Sequence, residues 1–545
     1  MTDAFTVEFL PSGLRGTSSG ERSLLELSRS VGLMIESSCG GHGICRSCAV
    51  RVEGDVPPPV TSESDVFTIE ELASGWRRAC QCHPIGSCKV HVPPRTAGTQ
   101  FSIGKDVTGS VAIAEPILQR AMDHFWYRGT RMVGPVADPG PFGLAVDLGT
   151  TNIAAALVDL VEGKVVGSAT RDNPQGTFGA DIISRLEYAM RGEAQARELQ
   201  HAPVSAIAEL ALVLTGKNPA AIAEIAVVGN TVMQHLFLGL NVDSLVCVPF
   251  EPAVLHALEI PAGNLGLPCA PGAAVYCAPS VAGFVGGDHL SALLDVADKY
   301  PKSRWAMLDI GTNTEIALCK DSKITCVSCA SGPAFEGGKL MWGMRAAPGA
   351  IDRVAIHDKV ELSTIGNIEP IGICGSGVLS VVASLRRAGL VDARGRIQLG
   401  HPTVRERDGT REVVLRDDGI SGVLPVVFTQ SDVRAVQLAK AAIRTGLDTL
   451  LNDAAVEVRD LDRIVIAGAF GTFVDIEDVF AIGLLPDIPR DRVVQVGNAA
   501  GAGVCRLVAC ASARREVDAL AKGIRYVELA KEPSFQKTFI ARSAL

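Results

Sequence analysis

The stretch that decides the N-terminal fold is ESSCGGHGICRSCAVRV, residues 36–52, and RRACQCHP follows it at 77–84. The first stretch sets three cysteines as C-x5-C-x2-C, and a further cysteine comes 32 residues after the third. Its glycines allow backbone N–H groups to approach inorganic sulfide, and cysteine thiolates are the ligands that iron–sulfur clusters use. The pattern therefore predicts an iron–sulfur site on Cys39, Cys45, Cys48 and Cys80.

Two alternatives to this site stay open at the level of sequence. Zinc sites usually show two short C-x2-4-C pairs, whereas this region has one close pair with outlying cysteines, and a set of reduced buried thiols is the other alternative. Cys82 and Cys88 are additional thiols, either beside the cluster or as replacement ligands. The ACQ context favours Cys80 as the fourth ligand.

The segments around the cysteines have the order that a β-grasp domain needs. TVEFLP predicts an alternating strand, SLLELSRSVG a short amphipathic helix, and CAVRVEGD a strand that leaves the cysteine loop. Residues 1–93 thus resemble plant-type and adrenodoxin-type [2Fe–2S] ferredoxins, with the longer first cysteine spacing of the latter. The resemblance implies a [2Fe–2S] cluster.

Composition limits the classes of function that the rest of the chain can have. The chain has 545 residues with 47% hydrophobic content, which predicts three or four domains. A net charge of −9 without a basic aromatic run predicts no nucleic-acid partner. We expect no membrane partner and a cytoplasmic location, because no apolar run approaches about 18 residues, the start lacks a signal-peptide pattern, and the 15 cysteines fit a reducing compartment.

Residues 94–140 are rich in proline and glycine near both ends and are predicted to be a linker. EPILQRAMDHFWYRG, residues 115–129, predicts a short helical element within it. A passive spacer is the commoner role for such a segment, while a mobile tether would suit a redox module that has two partners.

A second signal is a strand–turn–strand pattern that occurs twice, as LAVDLGTTNIAAALVDL at 144–160 and as MLDIGTNTEIAL at 307–318. Each copy is followed by an apolar strand with a glycine turn, IAVVGNTVMQHLF at 225–237 and RIVIAGAFGTF at 463–473. The repeat predicts a duplicated α/β unit. Glycine and threonine in such turns suit phosphate oxygens, and an aspartate at the strand end suits hydrated Mg²⁺.

Together these motifs resemble the superfamily of sugar kinases, heat-shock ATPases and actin, whose two ribonuclease-H-like domains clamp a nucleotide. We expect a multidomain α+β and α/β chain with ATPase halves at 141–300 and 301–545. The resemblance implies catalytic roles for Asp147 and Asp309 with ATP and Mg²⁺. It implies nucleotide contacts for Gly149, Thr150, Thr151, Asn152, Gly311, Thr312, Asn313, Thr314, Gly468 and Gly471.

A ferredoxin joined to this kind of ATPase resembles one family, the reductive activators of corrinoid proteins. Further strings that resemble this family are GADIISR at 179–185, VGGDH at 285–289, SGPAFEGGKLMWGMRAAPGAI at 331–351, ICGSG at 373–377, TQSDVRAVQLAKAAI at 429–443, and IGLLP with VGNAAGAG at 482–503. Taken singly, most of them are better explained as helix caps or packing glycines.

The resemblance implies an ATP-dependent transfer of one electron from the cluster to an inactive Co(II) corrinoid, which restores Co(I). The implied partners are a corrinoid (cobalamin-binding) protein and an upstream reductase or flavodoxin, and a homodimer stays open. Three other functions stay open at the level of sequence: an electron donor to a different low-potential enzyme, a redox-regulated small-molecule kinase, and a module that only docks to corrinoid proteins. The histidines at 83, 289 and 357 are predicted to be ordinary residues, as are the thiols Cys326 and Cys329.

Overall fold

The computed structural model describes residues 4–37, 41–43, 45–94, 96, 102–104, 109–122, 125–407, 409–417 and 425–545. Of residues 102–104, 122, 469 and 470 it describes the backbone alone. The predicted cluster ligand Cys39 lies outside the described residues.

The N-terminal domain is a five-stranded β-grasp sheet with the strand order β2-β1-β5-β3-β4. Its central strands β1 and β5 are parallel, and the other pairs are antiparallel. Alternation in the first strand buries Val7 and Phe9, which pack on Leu24 and Leu27 of the first helix. The predicted strands and helix are confirmed. The elements are β1 Phe5–Leu10, β2 Leu14–Ser18, α1 Leu24–Ser30, β3 Ala49–Gly54, α2 Ile69–Ala73, β4 Trp76–Arg78 and β5 Cys88–His91.

The region after this domain contains strands instead of the predicted helix. The elements are β6 Ser102–Gly104, β7 Gln119–Met122, β8 Phe125–Arg128 and β9 Arg131–Pro135. The helical prediction for residues 115–129 was wrong because aromatic residues at 125–127 favour a pleated strand and the turn at Gly129, where φ is +57°, lets the next strand pair with it. Ile117, Leu118 and Val133 are buried in the core of the first ATPase half.

The first ATPase half is a seven-stranded sheet with the order β14-β15-β13-β10-β11-β12-β6. Strands β10 and β11 form the predicted antiparallel hairpin, and β13 runs parallel to β10. The elements are β10 Phe142–Leu148, β11 Asn152–Asp159, β12 Val165–Asp172, α3 Ile182–Ala189, α4 Glu193–Leu214, β13 Ile222–Val228, α5 Thr231–Leu238, β14 Leu258–Pro261, β15 Ala274–Cys277 and α6 Gly287–Lys299.

The second half repeats this topology in a sheet with the order β26-β25-β16-β17-β18-β27. Here β16 and β17 form the hairpin, and β25 is parallel to β16. The predicted duplication is therefore confirmed by strand order and direction. The elements are β16 Trp305–Ile310, β17 Thr314–Lys320, β18 Lys323–Cys329, β19 Ala350–Ile356, β20 Val360–Thr364, β21 Gly372–Ile373, α7 Gly375–Arg387, β22 Val404–Arg407, β23 Thr410–Arg416, β24 Val426–Thr429, α8 Gln430–Asp453, β25 Arg463–Ala467, α9 Gly468–Phe473, α10 Ile476–Ala481, β26 Val493–Gly497, α11 Ala499–Ala509, α12 Ala511–Gly523, β27 Arg525–Tyr526 and α13 Phe535–Arg542.

The two halves are joined by a crossing of helices α6 and α11. A Cβ added at Gly503 would lie 2.1 Å from the carbonyl oxygen of Ser291, so the crossing requires glycine. The Ser291 hydroxyl donates to the Ala500 carbonyl at 2.8 Å. Helix α11 also contributes Val504 and Leu507 to the core of the first half. The chain thus returns to the first half after completing the sheet of the second. No helix in the described ranges is both long and apolar enough to cross a membrane.

Candidate functional site

Two of the predicted cluster thiols, those of Cys48 and Cys80, come together where the loop before β3 meets the turn after β4. The Sγ atoms of Cys48 and Cys80 are 3.4 Å apart, which is close enough for both sulfurs to bind one iron, and both residues are buried. Cys45 lies half-buried on the same loop. Gln81 links the two segments, since its Nε2 donates to the Gly41 carbonyl at 3.0 Å. Three of the four predicted ligands are therefore in the described part of the chain, and the contact between two of them fits a cluster.

The additional thiols of this domain have a different environment. Burial raises the pKa of Cys82 to about 12 and that of Cys88 to about 11. The contact between the Sγ atoms of Cys80 and Cys48 supports Cys80 over Cys82 as the fourth ligand. Among the described residues, no three His, Cys, Asp or Glu side chains form a ready metal site.

The two predicted catalytic aspartates lie at equivalent places, near the ends of β10 and β16. Burial raises the pKa of Asp147 to about 6, although a side-chain hydrogen bond with Asn498 opposes the shift. Burial and then the charge of Asp147 raise the pKa of Asp309 to about 7. The pair is thus close enough to interact across the cleft between the halves, as expected for a duplicated site.

Two further carboxylates, which the sequence did not predict, join Asp147 and Asp309. We call these four side chains, Asp147, Asp288, Asp309 and Glu315, the acidic group. Asp288 stands in the first turn of α6, and burial followed by the charges of Asp147 and Asp309 raises its pKa well above the ordinary value. Burial raises the pKa of Glu315 as well, and Asp288 and Asp309 add to the effect. Asp288 is the aspartate of the VGGDH string at 285–289. The sequence alone favoured a helix cap for this string, so Asp288 was not predicted as a site residue.

These four carboxylates suit a Mg²⁺ ion held through its waters, since no three of the described carboxylates converge on one direct metal position. Within the described part of the chain, Asp147, Asp288, Asp309 and Glu315 form no ion pair with a basic side chain, so their mutual repulsion is not compensated by the protein. Mg²⁺ is bound by carboxylates and keeps several of its waters. A divalent cation here would lower the pKa of each carboxylate and relieve the repulsion.

The threonine loops of the two halves meet over one side chain, Glu336. The Glu336 carboxylate accepts a hydrogen bond from the Thr151 hydroxyl at 2.5 Å and from the Thr312 hydroxyl at 3.0 Å. The two hydroxyl oxygens are 3.5 Å apart. Glu336 belongs to the SGPAFEGG string, and nothing in its local pattern indicated that it lies between the two loops. The predicted loops are thus brought together by a residue that sequence reasoning missed.

The other predicted loop residues have varied surroundings. Gly149, Asn152, Gly311 and Asn313 lie in or beside the two hairpin turns. Thr314 is fully buried and its hydroxyl is 2.9 Å from that of Ser331. It begins β17, and strand alternation directs its side chain inward. Its contact with a phosphate stays a prediction.

The first loop is held from beneath by polar side chains that were not predicted. The Asn230 side-chain amide donates to the Thr150 hydroxyl at 3.2 Å. Fully buried Arg185 donates to the Thr150 carbonyl at 2.5 Å, and the Asn173 amide donates to the Gly149 carbonyl at 2.9 Å. These contacts hold the backbone of the turn in place, with the Thr151 hydroxyl directed at Glu336.

The late glycine turn lies against the acidic group. Gly468 has φ +86°, and a Cβ there would lie 2.8 Å from Asp309 Oδ1. Gly471 lies within α9, where a Cβ would press on the Ile466 carbonyl at 2.8 Å. The packing of α9 on β25 accounts for the second glycine, while the first leaves room beside a catalytic candidate. Their contact with adenosine stays a prediction.

The histidines and the thiol pair that the sequence predicted to be ordinary have different surroundings. His289 is fully buried, burial lowers its pKa to about 3, and neither of its ring nitrogens has a hydrogen-bond partner among the described residues. His83 and His357 are exposed. Cys326 and Cys329 are buried on β18, where burial strongly raises the pKa of each thiol.

Family models match this chain in three consecutive parts. A "2Fe-2S iron-sulfur cluster binding domain" matches residues 14–84. A "RACo middle region" matches residues 142–297, and a "C-terminal domain of RACo the ASKHA domain" matches residues 304–545. The three matches follow the order of the β-grasp domain and the two sheets.

Individual relatives extend this similarity over the full length. The chain is 31% identical to "Corrinoid activation enzyme RamQ" of Eubacterium limosum over 96% of both chains. It is 26% identical to "[Co(II) methylated amine-specific corrinoid protein] reductase" of Methanosarcina barkeri, over 70% of this chain and 73% of the relative. This chain is also similar to a solved structure titled "Reductive activator for corrinoid,iron-sulfur protein", with 31% sequence identity and a TM-score of 0.71. The match covers 99% of this chain and 98% of the chain in that structure. Because similarity at this level spans both chains almost completely, this chain belongs to the family of reductive activators of corrinoid proteins.

Proposed function

We propose that this protein reactivates corrinoid proteins: it uses ATP to pass one electron from its [2Fe–2S] cluster to a Co(II) corrinoid bound to a partner, restoring Co(I). The observation that carries the proposal is membership of the activator family over the whole chain, with cluster thiols and duplicated threonine loops in one molecule. When bound, the cluster supplies a single low-potential electron.

The place of the cluster domain supports a link between electron transfer and the nucleotide. Residues 34–37 and 46–47 of the cysteine loop line a solvent-open crevice together with Thr151 and Glu336. The cluster domain therefore faces the cleft where the threonine loops meet.

Energetics explain why ATP is needed. Plant-type clusters have potentials of about −400 mV, a marginal value for reducing cobalt to Co(I). At about 59 mV per tenfold change in a one-electron equilibrium, a gap of about 200 mV corresponds to roughly 4.6 kcal/mol. Different affinities of the nucleotide-bound and nucleotide-free protein for the corrinoid partner would supply this free energy.

Within this function, the residues of the chain take defined roles. Asp147 and Asp309 would hold Mg²⁺ through its waters or orient the attacking water, and the hydroxyls of Thr151 and Thr312 would donate to the terminal phosphate. Gly468 keeps the turn beside Asp309 free of a side chain. In this function residues 1–93 would form the cluster domain, and the linker at 94–140 would join it to the ATPase halves. The first half would end at residue 300, and the second would begin at residue 301.

The partners follow from the same chemistry. A corrinoid protein accepts the electron, and an upstream reductase or flavodoxin supplies it. A cytoplasmic location belongs to the proposal as well, and a homodimer stays open. The client is open among the corrinoid proteins of methyltransferases and methionine synthases.

The test is anaerobic visible spectroscopy of the reduced protein mixed with a Co(II) corrinoid protein, with Mg-ATP or without it. Appearance of the Co(I) absorption only with ATP is the expected result. A cluster spectrum without any cobalt change, for several corrinoid proteins, contradicts the proposal and favours another electron acceptor. A burst of ADP that depends on a small metabolite and not on a corrinoid protein favours a kinase.

A further inference from the structure

We infer that Glu336 senses the terminal phosphate of the nucleotide and that Arg345 transmits its displacement to the cluster domain, so that a nucleoside triphosphate releases that domain from the ATPase cleft. The inference rests on the proposed function, because it takes the two threonine loops as the phosphate site. It adds a positioning role for two residues outside the predicted catalytic and phosphate-binding set.

The first step concerns the place that Glu336 occupies. Its carboxylate accepts hydrogen bonds from the hydroxyls of Thr151 and Thr312, one from each half. A phosphate group needs the same donors, because it too is an anion with acceptor oxygens. Two anions that compete for the same donors repel each other, so a terminal phosphate that binds these hydroxyls displaces Glu336. A diphosphate, which lacks the terminal group, leaves Glu336 in place.

The second step connects Glu336 with Arg345 through a tightly packed turn. A Cβ placed at Gly343 would lie 1.8 Å from the Gly337 carbonyl oxygen, and one at Gly337 would lie 2.4 Å from the Met344 carbonyl oxygen. The two ends of the turn are therefore in direct backbone contact. Because close-packed segments transmit displacement, a movement of Glu336 shifts Arg345 as well.

The third step is the bridge that Arg345 forms between three parts of the molecule. Its Nε lies 2.7 Å from Glu36 Oε1, and its guanidinium also pairs with Asp172 at the end of β12. Glu36 precedes the first predicted cluster ligand by three residues. Side-chain exposure is 23% for Arg345, 27% for Glu36 and 4% for Asp172, so this pairing is shielded from solvent. A shielded arginine that bridges two carboxylates depends strongly on geometry, so a shift of Arg345 weakens the bridge.

The remaining described polar contacts across this boundary are more exposed or longer. His42 lies 3.7 Å from Glu187, and Arg407 lies 3.7 Å from Glu70, which is 89% exposed. The Arg29 guanidinium stands 4.9 Å from the centre of the Phe178 ring. Exposed ion pairs contribute little to stability. The Arg345 bridge is therefore the most shielded of these polar contacts, and it lies beside a crevice that both faces line, so its loss weakens the docking of the cluster domain.

The consequence is functional. In the docked arrangement the cluster loop faces the protein's own cleft, and a corrinoid partner needs that loop exposed. Release triggered by the terminal phosphate would deliver the cluster only when ATP is present. Rebinding of Glu336 to the threonines after hydrolysis would return the domain to its docked position.

The experiment is hydrogen exchange with mass spectrometry on the full-length protein carrying its cluster, using Mg²⁺ with a non-hydrolysable ATP analogue or with ADP. Exchange of the peptide around residues 33–37 should rise at least about threefold with the analogue and stay unchanged with ADP. In Glu336→Gln the neutral amide does not repel the phosphate, so the analogue should bind without this rise. In Arg345→Gln exchange should be high with no nucleotide at all.

A matched control is Glu70→Gln, which removes an exposed ion pair at the same boundary and should respond like the unmodified protein. Protection of the loops at 148–152 and 311–314 reports nucleotide binding separately. If these loops become protected while residues 33–37 do not change, the inference is overturned and the proposed function stands. If the loops are never protected and ATP yields no Co(I), the proposed function itself fails. If exchange of residues 33–37 in Glu336→Gln still rises with the analogue, Glu336 is not the sensor and the inference is overturned. If Glu336→Gln does not fold, the same rise in Arg345→Gln, from a low level without nucleotide, overturns the bridge.

Discussion

Replacing Asp309 by Asn should stabilise the nucleotide-free protein while it abolishes the response to ATP. Asp309 is half-buried beside Asp147, and its pKa is about 7 in place of the ordinary 3.8. Folding therefore makes ionisation of this carboxyl unfavourable. At about 1.4 kcal/mol per pH unit, the difference corresponds to at most about 4 kcal/mol of lost stability once the group is ionised in both states.

The sign of the pH dependence follows from linkage. The folded protein binds this proton more tightly than the unfolded chain does, so the stability from this group is complete below about pH 4. It is lost as the pH rises through about 7, where the folded protein also releases the proton. The free energy of unfolding of Asp309→Asn should therefore exceed that of the unmodified protein by a few kcal/mol at pH 8, and the excess should shrink toward zero near pH 4.

The assay is urea-induced unfolding at a series of pH values between 4 and 8, without nucleotide, together with thermal shifts on addition of Mg-ATP. Mg-ATP should raise the melting temperature of the unmodified protein and have no effect on the variant. Asp491→Asn, at an exposed carboxylate of the same half, is the control and should show neither change. An Asp309→Asn variant that is less stable at pH 8, or that retains ATP-dependent Co(I) formation, would refute this account of the site.

Three further outcomes are expected. Cys80→Ser should abolish the visible absorption of the [2Fe–2S] cluster, whereas Cys82→Ser should retain it, because only the former thiol contacts another predicted ligand; equal spectra in the two variants would contradict the assignment. Gly468→Ala should lower the free energy of unfolding by about 1–2 kcal/mol, since φ is +86° there, while Gly523→Ala, where a Cβ meets nothing, should not; both are measured by urea unfolding. Arg514→Met should cost on the order of 3 kcal/mol in the same assay, because buried Glu224 loses its partner at 2.7 Å and keeps only Arg128 at 3.3 Å; an unchanged midpoint would show that the Arg514 ion pair is dispensable.

The local sequence was sufficient to predict those strands, turns and helices whose hydrophobic pattern runs without a break along the chain. The hairpins β10–β11 and β16–β17 are apolar strands around glycine turns, and each was predicted with its aspartate at the strand end. The segments around the cysteines likewise specify the order of β-grasp elements. The failure at residues 115–129 was also local, because three successive aromatic residues outweigh a weak helical period.

The residues of the candidate site likewise fall into those that short sequence patterns predict and those that only the folded structure brings together. The sequence by itself determined the two aspartates, the threonine loops and the cysteine spacing, because each is a short pattern whose chemistry is visible within a few residues. Only the tertiary structure decided that Asp288 joins the aspartates, that Glu336 bridges Thr151 and Thr312, and that helix α11 returns to the first half. Glu336 lies 185 residues from Thr151, and no local periodicity encodes a contact over such a separation. Contacts of this kind arise when two separately patterned sheets pack together, and their physical cause is the burial of both sheets against shared helices.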